Sequence, residues 1–263
     1  MKRAMLATTA LSLLTAGAPG AAAQAQETGE QTEMGDRAEA RSSAAEKVSR
    51  SDAPIALSGW GYNPLYSMDG VRGEELLYAD VYGEAGEEIG EVENVWIQND
   101  RIVAITVETD GFLDIGDTHV VAPWDQVELA DETVTVPMTE ESVEDYDMWG
   151  DDSVVTASMD GIRRADDGDV YAGDSVYRLT DVMDDYALAE GVGRGYIDDV
   201  LFSRDGGIEA VVFMGRGGYR AAPYYGPERG YDPYGATYPL RYSAQEIESL
   251  EPFDYERMDD GWF

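Results

Sequence analysis

From Glu74 onward the chain sets short apolar runs between polar and glycine-containing breaks. GEVENVWIQ (90–98), RIVAITVET (101–109), THVVAPW (118–124), QVELA (126–130) and TVTVPM (133–138) each read as a strand. Their spacing predicts an antiparallel meander or small barrel. QND (98–100) reads as a tight turn, which makes 90–109 a hairpin. Val103, Ile105 and Val107 alternate with polar or small residues and predict one buried strand face. Thr139 then opens TEESVEDY, where a capping hydroxyl and early acids favour a short helix.

The same pattern returns in the second half. IGEVENVWI (89–97) lines up with RGYIDDVLF (194–202), so that Gly90 meets Gly195 and Glu93–Asn94 meet Asp198–Asp199. With one residue inserted at the turn, RIVAITV (101–107) lines up with GIEAVVF (207–213). VAPW (121–124) matches AAPY (221–224), TVPM (135–138) matches TYPL (237–240), and TEESVEDY (139–146) resembles SAQEIESL (243–250). Five blocks in one order predict two copies of a small β domain, over 73–146 and 174–252. An acidic linker, 147–173, joins them, and SVVTASM within it could form a strand. Residues 253–263 are a tail. A single domain of about 70 residues is marginal alone, so the copies are expected to pack together or the first to form a homodimer.

The N-terminal part follows other rules. Lys2 and Arg3, an apolar stretch over 4–18 and small residues ending in Ala-x-Ala triplets form a signal-peptide layout, cleaved after Ala23 or Ala25. The apolar run is shorter than the roughly 20 residues that span a bilayer, and no later segment is long or apolar enough to span. Residues 26–52, rich in Glu, Ala, Ser and Gln, read as a disordered tether. Residues 53–70, with Trp60, Tyr62, Leu65 and Tyr66 among Gly and Pro, form either an irregular docking arm or an unstructured segment, so that 26–72 as a whole reads as disordered or irregular. The implied location is the periplasm or the exterior.

Charge and composition narrow the chemistry. Removing Lys2 and Arg3 leaves 16 Lys and Arg against 54 Asp and Glu, a net charge of −38. Such a surface repels nucleic acid, whose affinity comes from cationic contacts to phosphate. The absence of cysteine excludes disulfides, a lipidated N-terminal cysteine and thiolate metal sites.

The opening DVYGEAGEEIGEVENV (80–95), the hairpin to 109, GFLDIG (111–116) and the ending VAPWDQVEL (121–129) together resemble the PRC-barrel domain. The second copy departs from the pattern. VMDDYALAEGVGRG replaces the opening and a tyrosine-rich insert replaces the ending, which makes it degenerate. The resemblance implies a six-stranded antiparallel barrel that mediates assembly and carries no shared catalytic residues. The fold expected is therefore all-β, with two small antiparallel PRC-like barrels in tandem and short terminal helices.

Candidate sites are few. His119, the one histidine, follows Thr118 and Asp117, but a neighbouring strand residue points to the opposite face. An Asp–His pair without a nucleophile performs no acyl transfer, so His119 reads as an exposed strand histidine among acids. The acidic clusters at 147–152, 166–174 and 181–186 lack EF-hand spacing. GVGRG (191–195) opens a strand rather than a helix, which makes it a turn and not a phosphate loop. No catalytic, cofactor or metal residue is assigned.

The insert YRAAPYYGPERGYDPYGATYPLRY (219–242) holds seven tyrosines with Arg220, Arg229 and Arg241. It is either a docking surface or a loop folded over its own barrel. Tyr224, Tyr225, Tyr231 and Tyr234 are the candidate contacts to a partner or the sister barrel. Trp124, in the repeated VAPW block, is a further candidate. The function expected is an exported, non-enzymatic interaction module with an envelope protein partner. The alternative is an acidic periplasmic protein that binds cations or protects against stress.

Overall fold

The computed structural model describes residues 53–109, 118–130, 133–146, 154–166, 170–258 and 262–263. The signal peptide, the tether, GFLDIG, Asp117 and the acidic cluster at 147–152 lie outside them. The first half carries strands β1 (Gly70–Arg72), β2 (Asp80–Tyr82), β3 (Glu88–Gln98), β4 (Arg101–Thr109), β5 (Thr118–Pro123), β6 (Glu128–Ala130) and β7 (Thr133–Thr135). Helix α1 (Asn63–Tyr66) precedes β1, and α2 (Gly73–Leu76) follows it. Between the halves lie β8 (Val154–Val155), β9 (Arg163–Asp166) and β10 (Tyr171–Ala172). The second half has β11 (Val176–Arg178), α3 (Leu179–Met183), β12 (Tyr186–Ala189), β13 (Val192–Ser203), β14 (Ile208–Gly215), β15 (Gly218–Pro223), β16 (Thr237–Leu240) and α4 (Ala244–Ser249).

The fold is all-β. The first sheet runs β6-β7-β2-β3-β4-β5-β9, and the second runs β15-β14-β13-β12-β16. Each is largely antiparallel, as the strand spacing predicts, but contains one parallel pair: β2 with β7, and β12 with β16. Among the described residues the strand order is an open path, with β6 and β9 at the ends of the first sheet.

Local sequence explains the recurring irregularities. Asn99 and Asp100 adopt φ of 55° and 59°, the left-handed pair that a two-residue hairpin turn requires between β3 and β4. The long hairpins bulge at matching places: between Val92 and Asn94 and between Ile197 and Asp199, then at Trp96/Ile97 and Leu201/Phe202. Gly90 (φ 151°) and Gly195 (φ 137°) occupy equivalent points, where a Cβ would stand 2.0 Å from the Glu108 carbonyl oxygen and 1.9 Å from that of Met214. Only glycine lets the backbones approach so closely.

The second bulge corrects one expectation. Val103 is the extra residue between Ala104, opposite Trp96, and Ile102, opposite Ile97. It therefore leaves the face of Ile105 and Val107 and packs with Trp96 and Ala104 on the other side of the sheet.

The two halves are not separate beads in tandem. β1 precedes the first sheet in sequence but pairs with β13 of the second, Val71 opposite Phe202. β11 precedes the second sheet but pairs with β3 of the first, Tyr177 opposite Ile97. Each half thus lends its leading strand and helix to the other. The hairpin turns also meet: Ile102 N–H donates to the Gly206 carbonyl at 2.8 Å, and Ile208 N–H to that of Asp100 at 3.0 Å. One buried core includes Val95, Ile105 and Tyr177 together with Val200, Phe213 and Tyr238.

Both outer faces are covered by segments that look like linkers in sequence. β9 pairs with β5, and Val155 and Ala165 pack on Trp96, Ala104 and Val121. The arm over 53–68 lies on the second sheet, where Tyr62, Leu65, Tyr66 and Phe253 cover Leu201, Ala210, Val212 and Ala221. Trp60 Nε1–H donates to the Ala221 carbonyl at 3.0 Å, and the Tyr62 hydroxyl accepts from Ala221 N–H at 3.3 Å, so aromatic side chains satisfy the free edge of β15. The short helices begin as their sequences predict. Thr139 caps a 3₁₀ turn over Glu140–Asp145, and Ser243 caps α4 through a reciprocal Ser243–Glu246 box.

Candidate functional site

His119 lies on β5 and is 5% exposed, which corrects the expectation of an exposed histidine. The physical reason is the added strand β9, whose Ala165 faces His119 and closes what would otherwise be an open edge. Its Nε2 lies 3.4 Å from a Glu93 carboxylate oxygen, and its Nδ1 has no hydrogen-bond partner among the described residues. Asp117 lies outside the described residues. His119 terminates a cross-strand row in which Asp80 faces Glu91, Glu91 faces Glu108, and Glu108 faces His119. The three acids of this row are exposed. Among the described residues no group of three or more His, Cys, Asp or Glu side chains converges as a metal site.

The chemically most constrained place is the joint where the halves exchange strands. At the bulge in β13 Asp198 is the extra residue, and Asp199, opposite Val212, takes a position with 0% side-chain exposure. Its carboxylate accepts from Arg72 Nε at 3.0 Å and from the Glu74 backbone N–H, at the start of α2, at 3.0 Å. Arg72 also reaches Glu74 and Glu75, and its guanidinium lies 4.3 Å from the Tyr255 ring centroid. Burial pushes the Asp199 carboxyl up to about 6, against the opposing pull of Arg72 and the Glu74 N–H.

The matching bulge in β3 presents Asn94 in place of Asp199. Asn94 Nδ2 donates to the Thr180 hydroxyl of α3 at 3.0 Å, while its Oδ1 accepts from Val95 N–H. Arg178, beside α3, stacks over Trp96 at 5.0 Å. Thus each half holds the other's leading helix through a buried polar side chain on a bulge. Sequence reasoning placed Asp199 opposite Asn94 but assigned neither a role. The signal available was a charged residue at an otherwise inward-turning strand position.

The tyrosine insert belongs to this joint. Tyr224, Tyr225 and Tyr231 are buried, whereas Tyr234 is 70% exposed. The Tyr224 hydroxyl meets that of Tyr177 on β11, and the Tyr231 ring packs edge-on to Tyr177 and against Tyr238. The Tyr225 hydroxyl accepts from Ile55 N–H at 2.8 Å and meets the Tyr242 hydroxyl at 2.9 Å. Tyr234 donates to the Val176 carbonyl at 2.8 Å. The insert therefore grips the lent strand and the N-terminal arm. Trp124 is half-buried against Gly206, where a Cβ would stand 2.7 Å from its Nε1, so it covers the hairpin turn of the other half. Among the five candidate contacts, Tyr234 is the most open to an external partner.

Among the described residues no helix is long and apolar enough to cross a membrane. No curated protein matches the chain at a significant level. Residues 68–152 match the PRC-barrel domain family, a span that begins before the lent strand β1 and ends beyond β7, and this part of the chain is a PRC-barrel domain.

Proposed function

We propose that this protein is exported to the bacterial envelope, is not an enzyme, and works there as an interaction and assembly module. The second half is read as a degenerate PRC-barrel copy. The observation that carries the reading is the use each sheet makes of added segments: β11 on β3, β1 on β13, β9 on β5 and the arm on β15. Strand addition is a general recognition mode, in which main-chain hydrogen bonds give affinity and side-chain pockets give register. The buried polar side chains of Asp199 and Asn94, the latter through the half-buried Thr180 hydroxyl, hold such segments in place. His119 faces one carboxylate and no nucleophile among the described residues, which favours a structural role.

The test is fractionation of the native cell followed by crosslinking in the envelope. A chain processed after Ala23 or Ala25, found in the periplasmic fraction and crosslinked to a discrete protein, is the expected result. An unprocessed cytoplasmic chain, or one without a reproducible crosslinked neighbour, would overturn the reading.

A second reading, acidic cation binding, is favoured by the row Asp80–Glu91–Glu108, where like charges stand directly opposite one another. Calorimetric titration with calcium separates the two, since saturable micromolar binding supports the second.

A further inference from the structure

The same cross-strand row has opposite chemistry in the two sheets. In the second sheet Tyr186 stands opposite Tyr196, where the first has Asp80 opposite Glu91. Met214 follows in β14, at the place of Glu108. The Tyr186 and Tyr196 rings lie 4.9 Å apart, and Tyr196, Val192 and Met214 are 64%, 54% and 45% exposed. Between this row and α4 runs an open groove of about 760 Å³.

Three arginines line that groove, Arg194, Arg216 and Arg220, with Glu248 the one acid among its lining residues. Arg194 pairs with Glu248 at 3.1 Å, yet its Nε is buried without a partner among the described residues. Arg220 donates to the Gly218 and Tyr219 carbonyls, and neither it nor Arg216 forms an ion pair among the described residues. The groove is thus locally cationic in a chain of net charge −36.

We propose that this groove docks the acidic row of a second copy of the chain, Asp80, Glu91 and Glu108. The inference rests on the reading of the protein as an assembly module and names the partner as itself. Adjacent strands stand about 4.8 Å apart, so three carboxylates in one row repel, and docking onto arginine forks and tyrosine hydroxyls relieves that repulsion. The two surfaces lie on different halves. The contact is therefore heterologous: each molecule offers its groove to one neighbour and its acidic row to another, and the product is a head-to-tail chain.

The experiment is sedimentation velocity of the mature protein at about 0.15 M salt, where a Debye length of about 8 Å damps the overall repulsion. The wild type is expected to associate further as concentration rises. Arg216→Glu/Arg220→Glu and Glu91→Lys/Glu108→Lys are each expected to weaken self-association roughly tenfold or more. Mixed one to one, the neutral variants Arg216→Gln/Arg220→Gln and Glu91→Gln/Glu108→Gln retain one complementary groove and row, with no charge pair at the other contact, and are expected to form a discrete heterodimer without longer species. Arg216→Gln and Glu108→Gln, with melts to establish folding, replace any reversal that fails to fold. A wild type that stays monomeric, a variant that still self-associates, or a folded pair that fails to combine would each overturn the proposal. A monomer that still crosslinks to another envelope protein removes this inference and leaves the module reading standing; a monomer with no crosslinked neighbour removes both.

Discussion

The two joints that hold the molecule together do the same work with different chemistry. Asp199 receives α2 with a buried carboxylate and an arginine, whereas Asn94 receives α3 with a neutral amide and a hydroxyl. The geometry is equivalent because the two side chains sit at matching bulges of the two long hairpins. A buried charge gains strength from its partners and loses it to desolvation, so the charged joint is stiff to mutation and sensitive to pH. The neutral joint is neither. The shared architecture thus specifies where a polar pin must stand, and the choice of residue sets how it titrates.

Removing one member of the charged joint should have the largest effect. Arg72→Met strands the buried Asp199 carboxylate and is expected to cost about 3–5 kcal/mol in denaturant unfolding. Asp199→Ala leaves Arg72 its pairs with Glu74 and Glu75 and should cost less. A loss near 1 kcal/mol from Arg72→Met would place the joint among exposed ion pairs and erase the contrast. Gly195→Ala comes next. It forces a Cβ to within 1.9 Å of the Met214 carbonyl oxygen at a φ of 137°, and a melt should show a loss of about 2–3 kcal/mol.

The pH dependence sharpens the comparison further. The folded Asp199 carboxyl, at about 6, lies above its ordinary 3.8, so the folded state binds the proton more readily than the unfolded one. Its contribution is unfavourable above pH 6 and fades as pH falls toward 4, with a limit of roughly 3 kcal/mol. Stability should therefore rise on acidification across that window. Asp199→Asn should flatten the slope, leaving the share of Asp185, which burial also raises to about 6. Asn94→Ala is expected to cost about 1–2 kcal/mol with no change in the pH profile. The smallest effect belongs to Tyr234→Phe, which removes one partly buried hydrogen bond to the Val176 carbonyl, worth about 0.5–1 kcal/mol by thermal melt.

Much of the fold was legible because its signals are local. Alternation marks β3 and β4, Asn99–Asp100 marks their turn, and the pairing of Gly90 with Gly195 marks a bulge that a Cβ would block. The 121–124 and 221–224 blocks likewise occupy equivalent ends of β5 and β15, where Pro123 faces Ala104 and Pro223 faces Ala210. The site was less legible. His119 reads as exposed on β5 because nothing local announces that β9, over forty residues later, will cover it. The tyrosine insert reads equally as surface or lid, since a ring with a polar tip suits both. Asp199 looks like one more acid among 54.

The sequence by itself determined the β architecture, the absence of cysteine chemistry and a strongly acidic composition. These follow from period, turn residues and composition, which depend on neighbours along the chain. Tertiary structure alone decided that the halves exchange their leading strands and that the arm and linker complete the two sheets. It also decided that Asp199 is buried while Asp80 and Glu108 are not. An edge strand can pair with any chain segment of compatible register, and burial is set by whichever segment reaches it. That choice is made in space, between residues about a hundred positions apart.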